Sequence, residues 1–203
     1  ALRDMVQNHA LQLLCAIGME PPINASAHAI RDEKLKVLQS LRPWTPETLS
    51  QHVVRGQYLA GASQGQPVSA YQQEKGVAAG SQTETFVALR AEIANWRWAG
   101  VPFYIRTGKR LAARDAHIVV NFREAPHAIF DVPMDAANKL VINLQPRDGL
   151  ELHLFSQAQD QRHAARGTTP MLAPVHLNLD FTQRFGAERE GAYERLLLDV
   201  IDG

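Results

Sequence analysis

Residues 83–90 have the sequence Thr-Glu-Thr-Phe-Val-Ala-Leu-Arg, in which two sets of side chains alternate at every second position. This period is typical of a β-strand, because successive side chains of a strand point to opposite faces of the sheet. Turn sequences at Thr107-Gly108 and at 146–149 predict hairpins between later strands. Those strands are predicted from short β-rich runs at 101–105, 118–122, 140–144, 150–155 and 175–181.

Helical periodicity precedes and follows this series of strands. Residues 2–18 and 27–41 each place apolar side chains at helical spacing, and residues 191–202 return to the same pattern. Helices, then a run of strands, then a helix is the order expected of an α+β fold. We therefore predict an α+β protein with a large, mainly antiparallel sheet and helices on one face.

The charge balance and the cysteine content exclude several functional classes. Lys plus Arg and Asp plus Glu number 21 each in 203 residues, so the formal net charge is zero, whereas a nucleic-acid or membrane-surface binder needs a basic excess. The single cysteine, Cys15, excludes an intrachain disulfide, and the histidines lack the spacing of metal ligands. No apolar run approaches the ~20 residues of a membrane span. We expect a cytoplasmic protein without a metal site.

His9 is the candidate residue for acid–base chemistry. On an α-helix with ~100° per residue, it projects between Met5 and Leu13, inside an apolar stripe. An apolar setting disfavours the charged imidazolium, and a general base must be neutral. A core histidine satisfied by one hydrogen bond fits the same pattern. Asp4 lies ~140° from His9 on such a helix, so α-helical spacing does not pair the two side chains.

Residues 106–114, Arg-Thr-Gly-Lys-Arg-Leu-Ala-Ala-Arg, place four cations within nine residues around a glycine turn. Cations at the end of a strand suit an anionic ligand or sugar hydroxyls, although a solvated basic hairpin has the same composition. Gln145, at the end of a later strand, has an amide that can donate to and accept from a polyhydroxy ligand.

Several short motifs follow one another along nearly the whole chain. They lie at 3–9, 11–15, 19–22, 31–38, 55–58, 83–86, 96–103, 106–109, 138–142, 145–146 and 192–199. Their order and spacing closely resemble the C-terminal domain of the glucose-6-phosphate dehydrogenase family. The resemblance implies an α+β domain that accompanies an N-terminal Rossmann domain, which binds NADP.

The resemblance also implies an activity and a set of site residues. Family members oxidise glucose 6-phosphate at C1 to the lactone and pass the hydride to NADP, the first step of the pentose phosphate pathway. His9, in the Gln-Asn-His motif, would be the base that takes the proton from the C1 hydroxyl. Asp4 and Lys109 would bind the sugar hydroxyls, and Arg114 and Gln145 match further substrate-side positions.

Two motifs of the family are absent from the sequence: the glycine-rich NADP fingerprint, and the Arg-Ile-Asp-His-Tyr-Leu-Gly-Lys stretch that grips the phosphate. We therefore expect residues 1–203 to be a C-terminal substrate-binding and oligomerisation domain cut at both ends. We expect it to hold no cofactor-binding residue and to be inactive alone.

Animal enzymes of the family have an additional, non-catalytic NADP site on this sheet. The corresponding positions here carry Asp115, Asn143, Glu151 and His153. Carboxylates repel a 2′-phosphate, so the resemblance predicts a bacterial-type enzyme without that second NADP.

Two non-catalytic alternatives stay open. One is an oligomerisation module, since family members associate through this sheet, and the other is a stand-alone sugar-phosphate binding protein that uses the cations of 106–114. The expected partners are glucose 6-phosphate, NADP and further copies of the chain in a homodimer or homotetramer, with no nucleic acid and no membrane.

Overall fold

A computed structural model describes residues 2–63, 65–124, 137–157 and 172–181. The chain divides into two compact units, Ala1–Ala113 and Arg114–Gly203, and each has a sheet of its own. The predicted helix at 191–202 lies outside the described residues. No helix within the described ranges is long and apolar enough to cross a membrane.

The first unit begins with one continuous helical segment that contains two types of helix. Leu2–Ala10 is a π-helix, and it continues directly as helix α1, Leu11–Gly18. Gly18 ends α1 where the helix passes close to the sheet, because a Cβ there would lie 3.0 Å from Ile93 Cδ1. The predicted helix over 2–18 therefore exists, but its first half has different winding.

Two further helices follow, each with a polar residue at its start. Helix α2, Ala27–Gln39, begins after Ser26, whose side chain accepts a hydrogen bond from the Ala29 N–H. Helix α3, Pro46–His52, begins after Thr45 with a proline in its first turn, where a missing N–H costs nothing. The prediction of 27–41 matches α2 within two residues, whereas α3 was not predicted.

The sheet of the first unit contains three strands in the order β1-β4-β5, all antiparallel. A separate two-stranded hairpin is formed by β2 and β3, also antiparallel. The five strands are β1, Val53–Gly56; β2, Gly61–Ser63; β3, Gln66–Val68; β4, Phe86–Glu92; and β5, Pro102–Gly108.

Strand β4 supplies the centre of the core. Its alternate residues Val87, Leu89 and Ala91 are buried and pack with Val6 of the π-helix. Just beyond the strand, Ile93 packs in a second cluster with buried residues of α1 and α2, which are Leu14, Cys15 and Val37. Burial of each large aliphatic side chain contributes roughly 1.5–3 kcal/mol, so the period of two in β4 selects the face that the helices cover.

The second unit contains a four-stranded antiparallel sheet in the order β6-β7-β8-β9. The tight turn between β7 and β8 confirms the hairpin predicted at 146–149. Gly149 is required there, because a Cβ would lie 2.8 Å from the carbonyl oxygen of Leu179 on the neighbouring strand. The strands are β6, Ala116–Asn121; β7, Lys139–Gln145; β8, Gly149–Gln157; and β9, Leu172–Asp180.

The predicted α+β fold class with antiparallel strands is confirmed, and the described strands are divided among three sheets where the sequence predicted one large sheet. The hairpin predicted at Thr107-Gly108 is wrong, because β5 pairs with β4 while β6 pairs with β7. A glycine turn after a strand marks the end of that strand, but it does not specify which strand becomes its partner.

Burial of Cys15 leads to a prediction about its reactivity. The residue is 1% exposed, and burial raises the pKa of its thiol, which keeps the unreactive protonated form at neutral pH. We expect iodoacetamide to label Cys15 very slowly in the native protein and rapidly in urea, as measured by mass spectrometry of the peptide that contains it. Rapid labelling of the native protein at pH 7 would contradict this packing.

Candidate functional site

Asp4 and His9 both lie in the π-helix. A π-helix closes hydrogen bonds between residues five apart, so the angle between the side chains at positions 4 and 9 is smaller than the ~140° of an α-helix. Both side chains are exposed, while Val6 between them faces the core. A carboxylate and an imidazole are thus both accessible on this helix.

The predicted apolar setting of His9 is wrong. Met5 and Leu13, which were expected to flank it inside the core, are 38% and 39% exposed. The buried residues of this segment are instead Val6, Leu14, Cys15 and Gly18. The π-helical winding explains the difference, because it shifts the period of the first half of the segment away from that of an α-helix.

Lys109 lies in the turn that follows β5, and the backbone of this turn is hydrogen-bonded to the residue before β4. Its N–H donates to the carbonyl oxygen of Thr85 at 2.8 Å, and its side chain is exposed. Gly108 lets the chain approach β4 here, because a Cβ would lie 2.9 Å from Phe86 Cδ2. The next residue, Arg110, has a φ of 59°, which lies in the left-handed region that residues other than glycine rarely adopt.

Arg110 is held by protein groups rather than being available to a ligand. Its guanidinium donates to Glu74 Oε1 at 3.2 Å and lies 6.0 Å from the centre of the Tyr58 ring. Hydrogen bonds with Tyr58, first, and then with Glu74 raise its pKa above the ordinary value. Lys109, by contrast, makes no side-chain hydrogen bond or ion pair with any described residue, so its ammonium group faces outward.

A second contact fixes the start of the π-helix to the segment that leads into β4. The backbone N–H of Leu2 donates to Glu84 Oε1 at 2.9 Å, and this bond lowers the pKa of that carboxyl group. Glu84 precedes Thr85, which holds the Lys109 turn. The helix with Asp4 and His9 and the turn with Lys109 are therefore anchored to two consecutive residues, about 3.8 Å apart along the chain.

Arg114 and Gln145 belong to the second unit. Arg114 is its first residue, and Gln145 ends β7 ahead of a cis peptide bond to Pro146. Both side chains are exposed, and neither makes a hydrogen bond or ion pair with a described residue. Asp4, His9 and Lys109 therefore lie in the first unit and Arg114 and Gln145 in the second, and the catalytic and substrate-side roles of all five stay predictions.

The four residues at the positions that correspond to a second NADP site make contacts within the second unit. Asn143 donates to Glu151 at 2.7 Å, and His153 lies 3.3 Å from the other oxygen of the same carboxylate. Asp115 lies 3.3 Å from the His117 ring. These carboxylates already have protein partners, and the absence of a second NADP stays a prediction.

Other potential sites do not coincide with these residues. An open groove of about 630 Å³ runs beside α2, and none of the predicted site residues lines it. Across the described part of the chain, no group of three or more His, Cys, Asp or Glu side chains has the arrangement of a metal site.

Four residues that support the site were not predicted from the sequence: Tyr58, Glu74, Glu84 and Thr85. Thr85 alone carries a signal, because it is a polar residue in the buried phase of an alternating strand pattern and is 3% exposed. Glu74 lies in a segment with no period, and its partners are 16 and 36 residues away.

Comparison with known proteins adds independent findings. The family model described as glucose-6-phosphate dehydrogenase, C-terminal domain, matches residues 1–203. Glucose-6-phosphate 1-dehydrogenase of Rhizobium meliloti (strain 1021) is 52% identical over 206 residues, covering 99% of this chain and 40% of that protein. The enzyme of Aggregatibacter actinomycetemcomitans is 45% identical over 203 residues, covering 100% and 40%. The chain thus spans about 40% of the length of these relatives.

Two solved structures are similar over nearly the whole chain. One is glucose-6-phosphate 1-dehydrogenase from Mycobacterium avium, with a TM-score of 0.72 and 36% identity, over 97% of this chain and 37% of that one. The other is glucose-6-phosphate dehydrogenase in complex with its substrate glucose-6-phosphate, with a TM-score of 0.79 and 32% identity, over 98% of this chain and 38% of that one.

The close approach at Gly108 leads to a prediction about stability. The substitution Gly108→Ala places a methyl group 2.9 Å from Phe86 and 3.2 Å from Leu111. Overpacking costs roughly 1–3 kcal/mol, so we expect a lower midpoint in urea unfolding. Gly61→Ala is the matched control, since a Cβ there meets nothing within 4 Å. Equal midpoints for the two variants would show that the Lys109 turn is not constrained by β4.

Proposed function

The chain belongs to the glucose-6-phosphate dehydrogenase C-terminal domain family, and from this premise we propose that it is the substrate-side part of such an enzyme. The enzyme oxidises glucose 6-phosphate at C1 to 6-phosphogluconolactone and transfers the hydride to NADP. The observation that carries this proposal is that the π-helix with the exposed Asp4 and His9, and the turn with the exposed Lys109, are hydrogen-bonded to the consecutive residues Glu84 and Thr85. We propose that both units belong to one C-terminal substrate-binding and oligomerisation domain of a cytoplasmic enzyme.

His9 is the general base in this proposal. One ring nitrogen accepts the proton of the C1 hydroxyl while the C1–H bond breaks, and the C1–O bond becomes the carbonyl of the lactone. The proton then passes from the imidazolium to solvent. A positioned base of this kind contributes about 10²–10⁴-fold to the rate. The exposed ring leaves room for a hexose to reach it.

Asp4 and Lys109 hold the sugar in the orientation that this step needs. The Asp4 carboxylate accepts hydrogen bonds from sugar hydroxyls, and the Lys109 ammonium group donates to sugar oxygens. Two fixed contacts on a polyhydroxy ring restrict its rotation, so C1 stays beside His9. Arg114 and Gln145 are proposed as additional substrate-side residues of the second unit.

The described residues do not fit NADP. At the start of α2 the Ser26 hydroxyl accepts from the Ala29 N–H, at the start of α3 the Thr48 hydroxyl accepts from the Thr45 N–H, and no glycine-rich turn precedes either helix. A dinucleotide pyrophosphate needs such a turn. NADP, which supplies the hydride acceptor, is therefore assigned to the part of the enzyme outside this chain. For the same reason we expect residues 1–203 alone to produce no NADPH.

A second role in self-association is favoured by one face of the β6–β9 sheet. Alternate positions of its strands carry aliphatic side chains, and on β9 Val175, Leu177 and Leu179 are 38%, 55% and 43% exposed. Exposed apolar surface of this kind marks an interaction site. We propose that this face contributes to a homodimer or homotetramer, in addition to the catalytic role of the first unit.

The substitution His9→Asn in the full-length enzyme tests the catalytic role. We expect kcat to fall by about 10²–10⁴-fold because the proton acceptor is lost, with KM for glucose 6-phosphate changed only a few-fold. The readouts are NADPH absorbance and light scattering, and the assembly state should stay unchanged. His28→Asn, at an exposed histidine of α2, is the matched control and should retain wild-type turnover.

Two results would contradict the proposal in different ways. If the wild-type full-length protein binds glucose 6-phosphate in calorimetry but never forms NADPH, the chain belongs to a sugar-phosphate binding protein. If His9→Asn keeps wild-type turnover, the enzyme uses another base.

A further inference from the structure

Thr85 is a buried polar residue that joins three segments of the first unit. Its hydroxyl accepts a hydrogen bond from the Tyr58 N–H at 2.9 Å, and its own N–H donates to the Gly56 carbonyl at 2.9 Å. Its carbonyl accepts from the Lys109 N–H at 2.8 Å. With 3% exposure, water cannot replace these partners, so each bond fixes the backbone that it joins.

Glu74 forms a second junction on the far side of Lys109. Its Oε1 accepts from the Tyr58 hydroxyl and from the Arg110 guanidinium, each at 3.2 Å. Tyr58 is also held from behind, where the Tyr71 ring packs edge-on against it at 5.8 Å between centroids. The residue that follows Lys109 is thus tied to the same tyrosine whose N–H is tied to Thr85.

The backbone at Arg110 shows why such support is needed. A non-glycine residue at φ 59° is strained, and strain of this kind persists only where surrounding contacts hold it. The contacts present are those of Arg110 with Glu74 and with the Tyr58 ring. Without them, the turn can relax, and the direction in which the Lys109 side chain leaves the turn changes.

We propose that Glu74 and Thr85 are positioning residues that aim Lys109 at the sugar hydroxyls of the substrate, acting through Tyr58 and Arg110. This inference rests on the proposed function, because it assigns these residues to the substrate contact made by Lys109. Neither residue touches the substrate. Both act on its binding by fixing the turn on either side of Lys109.

The effect is specific to substrate binding. A contact made equally in the ground state and the transition state changes KM and leaves kcat alone. Loss of a merely structural residue lowers the fraction of folded enzyme, and therefore kcat per mole of protein, without changing KM. The ratio of the two effects separates a positioning role from a structural one.

The experiment uses the full-length enzyme with glucose 6-phosphate as the varied substrate. For Glu74→Ala we expect KM to rise by about tenfold with kcat within about twofold. Glu74→Gln keeps an acceptor oxygen and should recover most of the lost affinity. Thr85→Val removes the hydroxyl and should raise KM, whereas Thr85→Ser keeps it and should restore KM.

Matched controls come from the same unit. Glu33→Ala also removes a carboxylate that accepts from a cation, the Lys36 ammonium at 2.6 Å on α2, and should leave KM unchanged. Thr83→Val changes an exposed threonine two residues before Thr85 and should be silent as well. If Thr85→Val fails to fold, the partly exposed Glu74 still provides the decisive measurement.

A double-mutant cycle with Lys109→Ala gives the sharpest outcome. If Glu74 acts through Lys109, Glu74→Ala raises KM in the wild type but adds nothing in the Lys109→Ala enzyme. Additive effects, or a Glu74→Ala enzyme with an unchanged KM and a lower melting temperature, overturn the inference. In that case Lys109→Ala still raises KM and the proposed function stands. An unchanged KM in Lys109→Ala itself overturns both the inference and the assignment of Lys109 to the substrate.

Discussion

The hydrogen bond from the Lys109 N–H to the Thr85 carbonyl is the constraint on which the arrangement of the site depends. It fixes the turn after β5 to the start of β4. The adjacent residue, Glu84, holds the first turn of the π-helix through Leu2. The helix that carries the base His9 and the carboxylate Asp4, and the turn that carries the cation Lys109, are thereby hydrogen-bonded to two consecutive residues. This segment, Glu84-Thr85, leads into the central strand β4 and is the rigid element that a preorganised site needs.

Strand β4 connects the Glu84-Thr85 segment to the core. Its buried side packs against Val6, so the helix that carries Asp4 and His9 cannot rotate without exposing apolar surface. Asp4 and His9 of the same helix are exposed. Residues Leu2–Ala10 therefore contribute both to the core and to the proposed site. A change at Val6 or Val87 is expected to affect the site as well as the fold.

Much of the fold could be predicted from the sequence because a half-buried strand shows a local alternation of apolar and polar side chains. Residues 83–90 predict β4 and its buried face, and 146–149 predict the turn between β7 and β8. The candidate residues were found through motifs. The exposure of His9 was not predicted, because nothing in an apolar spacing distinguishes π-helical from α-helical winding. Glu74 was not found, because its role depends on contacts with Tyr58 and Arg110 that only the tertiary fold creates.

We propose that Asp4, His9 and Lys109 of the first unit surround one hexose, with Arg114 and Gln145 of the second unit as additional substrate-side residues and the hydride acceptor outside the chain. The most direct test is a crystal structure of the full-length enzyme with glucose 6-phosphate. We expect a His9 ring nitrogen at about 2.6–3.2 Å from the C1 oxygen, with Lys109 in contact with the same sugar. A hexose bound without contact to His9 and Lys109 would contradict it.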